Sequence, residues 1–130
     1  MSQEHLLGCK VYYEDTDCLG MVYHANYLKY LERGRSEFVS AHTRPIQHWN
    51  EAGYLVVVYT MNIAFKRAAR LGDLLTVHTA FGLASPYRGR FQQRITRGAE
   101  LIVSAEVEVV CLGDQQRLRE FPEEFQALQG

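Results

Sequence analysis

Proline and cysteine are scarce in this 130-residue sequence, and neither a long apolar run nor an excess of one charge is present. Three prolines spread along the chain, with no Gly- or Ser-rich tract, leave no linker or low-complexity segment. The sequence therefore reads as a single domain over residues 1–130. Its three cysteines, Cys9, Cys18 and Cys111, are odd in number and widely spaced, which excludes a disulfide framework and points to a reducing, cytoplasmic compartment. Tyr54–Met61 is the longest apolar-to-aromatic run and falls far short of the ~20 residues of a membrane span. Met1–His5 lacks the basic start and apolar stretch of a secretory signal. With 14 Lys+Arg against 15 Asp+Glu, the formal net charge of -1 supplies no broad positive field, which argues against nucleic acid as the main partner.

What is present is a chain that is 47% hydrophobic, enough for a core that needs neither disulfide nor structural metal. From Cys9 to Glu14, apolar and polar residues alternate as in a half-buried strand, and Asp15–Gly20 then breaks the pattern as a loop. Over Ala25–His42 the period changes. Tyr27, Leu31, Gly34, Phe38 and Ala41 line one stripe, with Lys29, Glu32, Arg33 and Ser36 elsewhere, which predicts one long amphipathic helix. Gly34 costs a helix ~1 kcal/mol relative to Ala, so its place on the stripe predicts close packing against a flat surface such as a sheet.

After a short helical turn led by Pro45, four further strand-like runs follow: Leu55–Phe65, Leu75–Phe81, the weaker Phe91–Arg97, and Val103–Cys111. Short connections such as Arg70–Asp73 and Gly98–Ala99 favour antiparallel pairing of these consecutive strands. The class is α+β. One helix covers one sheet face, and both faces of Tyr54–Val58 are apolar, so the uncovered side is expected to meet another copy of the chain.

Reactive side chains are densest in Tyr12–Tyr27, between the first strand and the long helix. A helix start carries unpaired N–H groups and the positive end of the macrodipole, so a loop folded over it can set a carboxylate beside free donors. Such a pair can polarise a carbonyl and supply a base or nucleophile. By spacing alone, Asp17 reads more readily as a turn or helix cap than as a catalytic group. Glu14 and Asp15 read as solvated or structural. Cys18 reads as a buried small apolar residue rather than a nucleophile, because the sequence identifies no histidine that would activate it. No second histidine stands at ligand spacing from His24, so no metal is expected.

The string Tyr13-Glu14-Asp15-Thr16-Asp17, then Gly20, then Val22-Tyr23-His24-Ala25-Asn26-Tyr27-Leu28 resembles the signature of the hot-dog-fold acyl-CoA thioesterases of the 4-hydroxybenzoyl-CoA thioesterase type, especially the Tol/Pal-associated branch. Phe65–Arg70 and Asp73–Leu75 support the resemblance. It implies a long central helix wrapped by a curved five-stranded antiparallel sheet, a homodimer or homotetramer with active sites at subunit interfaces, and no cofactor. It further implies Asp17 as nucleophile or general base, and the backbone N–H at His24 as the group that polarises the thioester carbonyl. The expected substrate is an acyl-CoA or an acyl carrier protein thioester. The expected substrate-binding residues are Tyr23, Asn26 and Arg67, together with Ser85, Arg88 and Arg90 for the CoA phosphates. The chain departs from the family pattern at Cys18-Leu19, where Ala-Gly is common, at Gly34, where Ala is common, and at Ala68, where Pro is common. A non-catalytic acyl-carrier binding or assembly module is the alternative reading of the same residues, and a hydratase is a third.

Overall fold

The computed structural model describes residues 4–129. It contains β1 (His5–Lys10), α1 (His24–His42), α2 (Ile46–Glu51), β2 (Leu55–Phe65), β3 (Leu74–Ser85), β4 (Arg88–Arg97) and β5 (Glu100–Leu112), with a 3-10 turn at Tyr13–Asp15 and 3-10 segments at Asp114–Gln116 and Glu123–Leu128. The five strands form one sheet in the order β1-β3-β4-β5-β2, and every ladder is antiparallel. None of the described helices is long and apolar enough to cross a membrane.

Alternation along the strands decides which side faces α1. Leu75, Val77, Thr79 and Phe81 of β3, Phe91, Gln93 and Ile95 of β4, and Val103, Ala105, Val107, Val109 and Cys111 of β5 are all buried. From the helix, Tyr27, Tyr30, Leu31, Phe38 and Val39 pack into the same cluster, which extends to Phe121, Phe125 and Leu128 near the C-terminus. Gly34 lies where the helix backbone meets the sheet. A Cβ there would stand 2.6 Å from Val77 Cγ1 and 3.0 Å from Thr79 Oγ1. The close approach to a sheet expected from the stripe is therefore found.

Four expectations need correction. The first strand is His5–Lys10, earlier than the alternating Cys9–Glu14. Asp15 Oδ2 accepts the Tyr12 N–H at 2.9 Å and turns the chain into the 3-10 segment, leaving Tyr13 81% exposed. Second, Ala41 is exposed at the helix end, whereas Asn26, Tyr30 and Val39, off the stripe, are buried. Third, β2 and β3 do not form a hairpin: β2 runs along β5, with Leu55 opposite Leu112 and Phe65 opposite Val103, and residues 66–73 cross to the far side of the sheet. Fourth, Cys18 is exposed rather than buried. β2 is thus an edge strand, and it exposes Leu55, Val57, Val58, Tyr59 and Phe65.

Candidate active site

Residues 16–22 form a small hairpin between β1 and α1. Thr16 bridges to Val22, and the Asp17 N–H donates to Met21 O at 2.8 Å. Gly20 takes φ 78° at its tip, a conformation costly for any residue with a Cβ. The hairpin is sewn to the crossing segment: Val22 N–H donates to Ala69 O at 2.9 Å, and Leu71 N–H to Gly20 O at 3.0 Å. Asp17 Oδ1 accepts the Leu19 N–H at 2.9 Å and the Met21 N–H at 3.1 Å. The turn-capping role is thus real, but it occupies one oxygen. Oδ2 makes no hydrogen bond among the described residues.

Helix α1 begins beside this hairpin. Its N-cap, Tyr23, makes no side-chain cap hydrogen bond, so the first N–H groups lack the acceptor that Ser, Thr, Asp or Asn would supply. The His24 ring packs edge-on against Phe65, with centroids 4.7 Å apart at 73°. A cleft of about 360 Å³ opens between the two parts, lined by Asp17, Met21, Val22, Tyr23, His24, Tyr27, Phe65, Lys66, Arg67 and Ala68. The carboxylate, the open helix start and an apolar wall thus share one concave surface. Arg67 is exposed on its rim, with Nε 3.8 Å from Glu100.

Of the residues expected at the site, the cleft brings together Asp17, Tyr23, His24 and Arg67. Asn26 is not among its lining: it is 1% exposed, on the inner side of α1. Ser85, Arg88 and Arg90 belong to the β3–β4 hairpin at the other end of the sheet. Seven residues of β5 separate Val103, opposite Phe65, from Val110, opposite Arg88, which is roughly 23 Å at ~3.3 Å per residue. Ser85 Oγ accepts the Tyr87 and Arg88 N–H groups at 3.2 Å, and the residue lines a separate depression with Pro86 and Phe121. Arg88 lies over the Tyr59 ring, and Arg90 pairs with Glu108 at 3.2 Å. Phe65 and Lys66, both cleft residues, were not anticipated; the sequence signal for them is the Phe-Lys-Arg string at the end of an apolar strand. Among the described residues no three His, Cys, Asp or Glu side chains gather as a metal would require.

A family model described as the thioesterase superfamily matches residues 19–99. Over 121 residues, 91% of this chain and 88% of the relative, the sequence is 39% identical to the acyl-CoA thioesterase YbgC of Haemophilus influenzae. It is 36% identical to the acyl-CoA thioester hydrolase YbgC of Escherichia coli O157:H7 over 79% of this chain and 78% of that protein. Among solved structures, a probable thioesterase from Bartonella henselae superposes with a TM-score of 0.83 at 34% identity, covering 92% of this chain and 100% of that one. The 1,4-dihydroxy-2-naphthoyl-CoA thioesterase Slr0204 from Synechocystis gives a TM-score of 0.89 at 23% identity over 95% and 93% of the two chains, a likeness of fold.

Proposed function

Since this chain belongs to the thioesterase superfamily, with the hot-dog fold and a thioester hydrolase activity toward acyl-CoA, we propose that Asp17 and the start of α1 carry out the reaction in the cleft they share. The thioester carbonyl accepts a hydrogen bond from the helix-start N–H at His24, where the macrodipole favours the developing oxyanion. Asp17 either attacks the carbonyl carbon, giving an acyl-aspartyl anhydride that water then opens, or takes a proton from the attacking water. By either route the C–S bond breaks and the sulfur leaves as thiolate. With water as nucleophile the acid takes its second oxygen directly from water; with Asp17 as nucleophile it takes an Asp17 oxygen, which water replaces by opening the anhydride at the aspartyl carbonyl. A CoA thiolate is a good leaving group and needs little protonation, so the backbone at His24 matters more than its ring. The observation that carries this reading is the convergence of Asp17, with one oxygen pinned and one free, and an uncapped helix start on one cleft.

The nucleotide end of the substrate is held, in this reading, by a second copy. β2 has an open edge and exposed apolar side chains. Two β2 strands paired antiparallel about Thr60 would set Leu55 of one copy opposite Phe65 of the other. Ser85, Arg88 and Arg90 of the partner would thereby reach the cleft that they cannot reach within their own chain. Asn26 acts from behind the cleft wall. Residues 1–130 work as one hot-dog domain, supported by the single apolar cluster from Val11 to Leu128. Three free cysteines suit a reducing, cytoplasmic setting.

The test is thiol release from acetyl-, butyryl-, benzoyl- and palmitoyl-CoA, with an acyl carrier protein thioester alongside, by wild type and Asp17→Asn. Hydrolysis by the wild type and a loss of at least ~100-fold in the variant support the assignment. Wild-type turnover by a folded Asp17→Asn protein overturns it. Single turnover in heavy-oxygen water separates the routes, since only direct attack leaves label in the Asp17 carboxylate.

A further inference from the structure

Two residues before Asp17, Asp15 is 6% exposed although Tyr12, Tyr13, Glu14 and Asp17 around it are open to solvent. It sits against the inner side of α1, where Asn26 and Tyr30, one helical turn apart, are each 1% exposed. Burial pushes the Asp15 pKa up; the Tyr12 N–H, Tyr30, Asn26 and Arg33 more than offset this and leave it below the usual carboxylate range. Neither Tyr30 Oη nor Asn26 Nδ2 reaches hydrogen-bond geometry with any group among the described residues, so Asp15 is the charge these two buried polar groups are set against. A carboxylate taken out of water is unfavourable unless its neighbours compensate. The hydrolysis described above gives Asp15 and Tyr30 no part, and Asn26 only a place behind the cleft wall.

From Asp15, buried against α1 at Asn26 and Tyr30 and closing the turn through the Tyr12 N–H, we infer a positioning residue that fixes the Asp17 arm relative to the helix start at His24. The inference rests on the roles proposed for Asp17 and His24. The connection is short and continuous. Asp15 closes the 3-10 turn; Thr16 Oγ1 donates to Tyr13 O at 2.8 Å and Thr16 bridges to Val22; Asp17 follows, with its N–H on Met21 O. On the other side, Asn26 and Tyr30 belong to the first two turns of the helix that begins at His24. Asp15 thereby sets the separation between the attacking carboxylate and the N–H that polarises the carbonyl. Displacement of reacting groups by about 1 Å is enough to cost rate about 100-fold. The groups that bind the acyl chain and the CoA lie elsewhere on the cleft and are untouched.

A double-mutant cycle with Asp15→Asn and Asp17→Asn, read as thiol release from an acyl-CoA that the wild type hydrolyses, tests this. Asp15→Asn alone should lower kcat about 10- to 100-fold, with KM within about twofold, in a protein that still melts cooperatively above the assay temperature. In the Asp17→Asn background the same change should cost less than about twofold, because the group it positions is already gone. A folded Asp15→Asn protein with wild-type kcat, or a loss that multiplies in full with that of Asp17→Asn, overturns the inference. If Asp15→Asn does not fold, Asn26→Ala and Tyr30→Phe leave the acid in place; each should lower kcat severalfold at constant KM, and unchanged kcat in both overturns it. Full turnover by Asp17→Asn alone would instead remove the active-site reading, a result seen before the cycle is closed.

Discussion

Inside the core the Tyr27 hydroxyl accepts the Ala69 N–H at 2.9 Å, joining the first turn of α1 to the segment that walls the far side of the cleft. Both residues are buried, at 2% and 0% exposure, and Ala69 O in turn accepts the Val22 N–H. One residue of the crossing segment thus holds both the helix and the hairpin that carries Asp17. Tyr27→Phe keeps the ring and leaves the Ala69 N–H without a partner in the core. The expected loss is ~1–3 kcal/mol of stability, measured by urea denaturation, with a fall in turnover that exceeds any change in KM.

His24 separates a backbone role from a side-chain role. Its ring packs on Phe65, and its N–H opens the helix. His24→Ala keeps the N–H, so thiol release should fall only ~10-fold, through poorer orientation of the substrate. A loss as deep as that of Asp17→Asn, ~100-fold or more, would show that the imidazole itself transfers a proton.

Gly34→Ala should destabilise the protein even though Ala is the better helix former by ~1 kcal/mol. The new Cβ would lie 2.6 Å from Val77 Cγ1 and 3.1 Å from Gln93 Nε2. Val77 is β-branched and fully buried, so it has little room to move. A net loss of ~1–3 kcal/mol is expected by chemical denaturation. Val77→Ala in the same chain should make the pair less destabilising than the sum of the single changes.

Acid should weaken the fold through Asp73 in a definite window. Burial raises the Asp73 pKa, but the Arg70 N–H at 2.8 Å and the Arg97 guanidinium at 2.7 Å hold it below the usual carboxylate value. A carboxyl depressed in the folded state stabilises above its unfolded pKa, ~3.9 for Asp, and that stabilisation is lost as pH falls through the folded value. The melting temperature of Asp73→Asn should therefore lie below that of wild type by a constant margin above about pH 5, and the gap should close as pH falls below ~3.9 and on through the lower folded value. A gap that persists in acid would mean that the variant acts by packing alone.

The open edge of β2 predicts self-association. Light scattering at micromolar concentration should show no monomer. Val57→Lys, which sets a charge on that edge, should give monomers that have lost thiol release although Asp17 is untouched. An active monomer would show that the cleft is complete within one chain.

Periodicity located the long helix to within a residue of its start, and it identified the inward side of β3 and β5, because burial on one side imposes a repeat that composition displays directly. It did not order the strands. Which strand lies beside β2 is decided by the pairing of Leu55 with Leu112 and Phe65 with Val103, and no local pattern records a contact between residues so far apart. The same gap explains Ser85, Arg88 and Arg90, whose chemistry suits phosphate but whose distance from Asp17 follows from strand register. Asp15 was readable only as structural or solvated; its burial depends on Asn26 and Tyr30, which fall outside the apolar stripe of the helix. The cleft itself was legible, since hairpin and helix start are adjacent in sequence.

The crossing from β2 to β3 also dictates when the sheet can close. As the chain emerges during synthesis, β2 is made before β3, β4 and β5, yet among the described residues its only strand partner is β5. The β3–β4–β5 meander can assemble from neighbouring hairpins, whereas β2 must wait for a long-range closure, the slow class of folding step. Until then Leu55-Val56-Val57-Val58 stands as an unpaired β-branched segment, the kind that seeds association between nascent chains. Slowing elongation just after β2 should therefore lower the soluble yield, and slowing it after β5 should not.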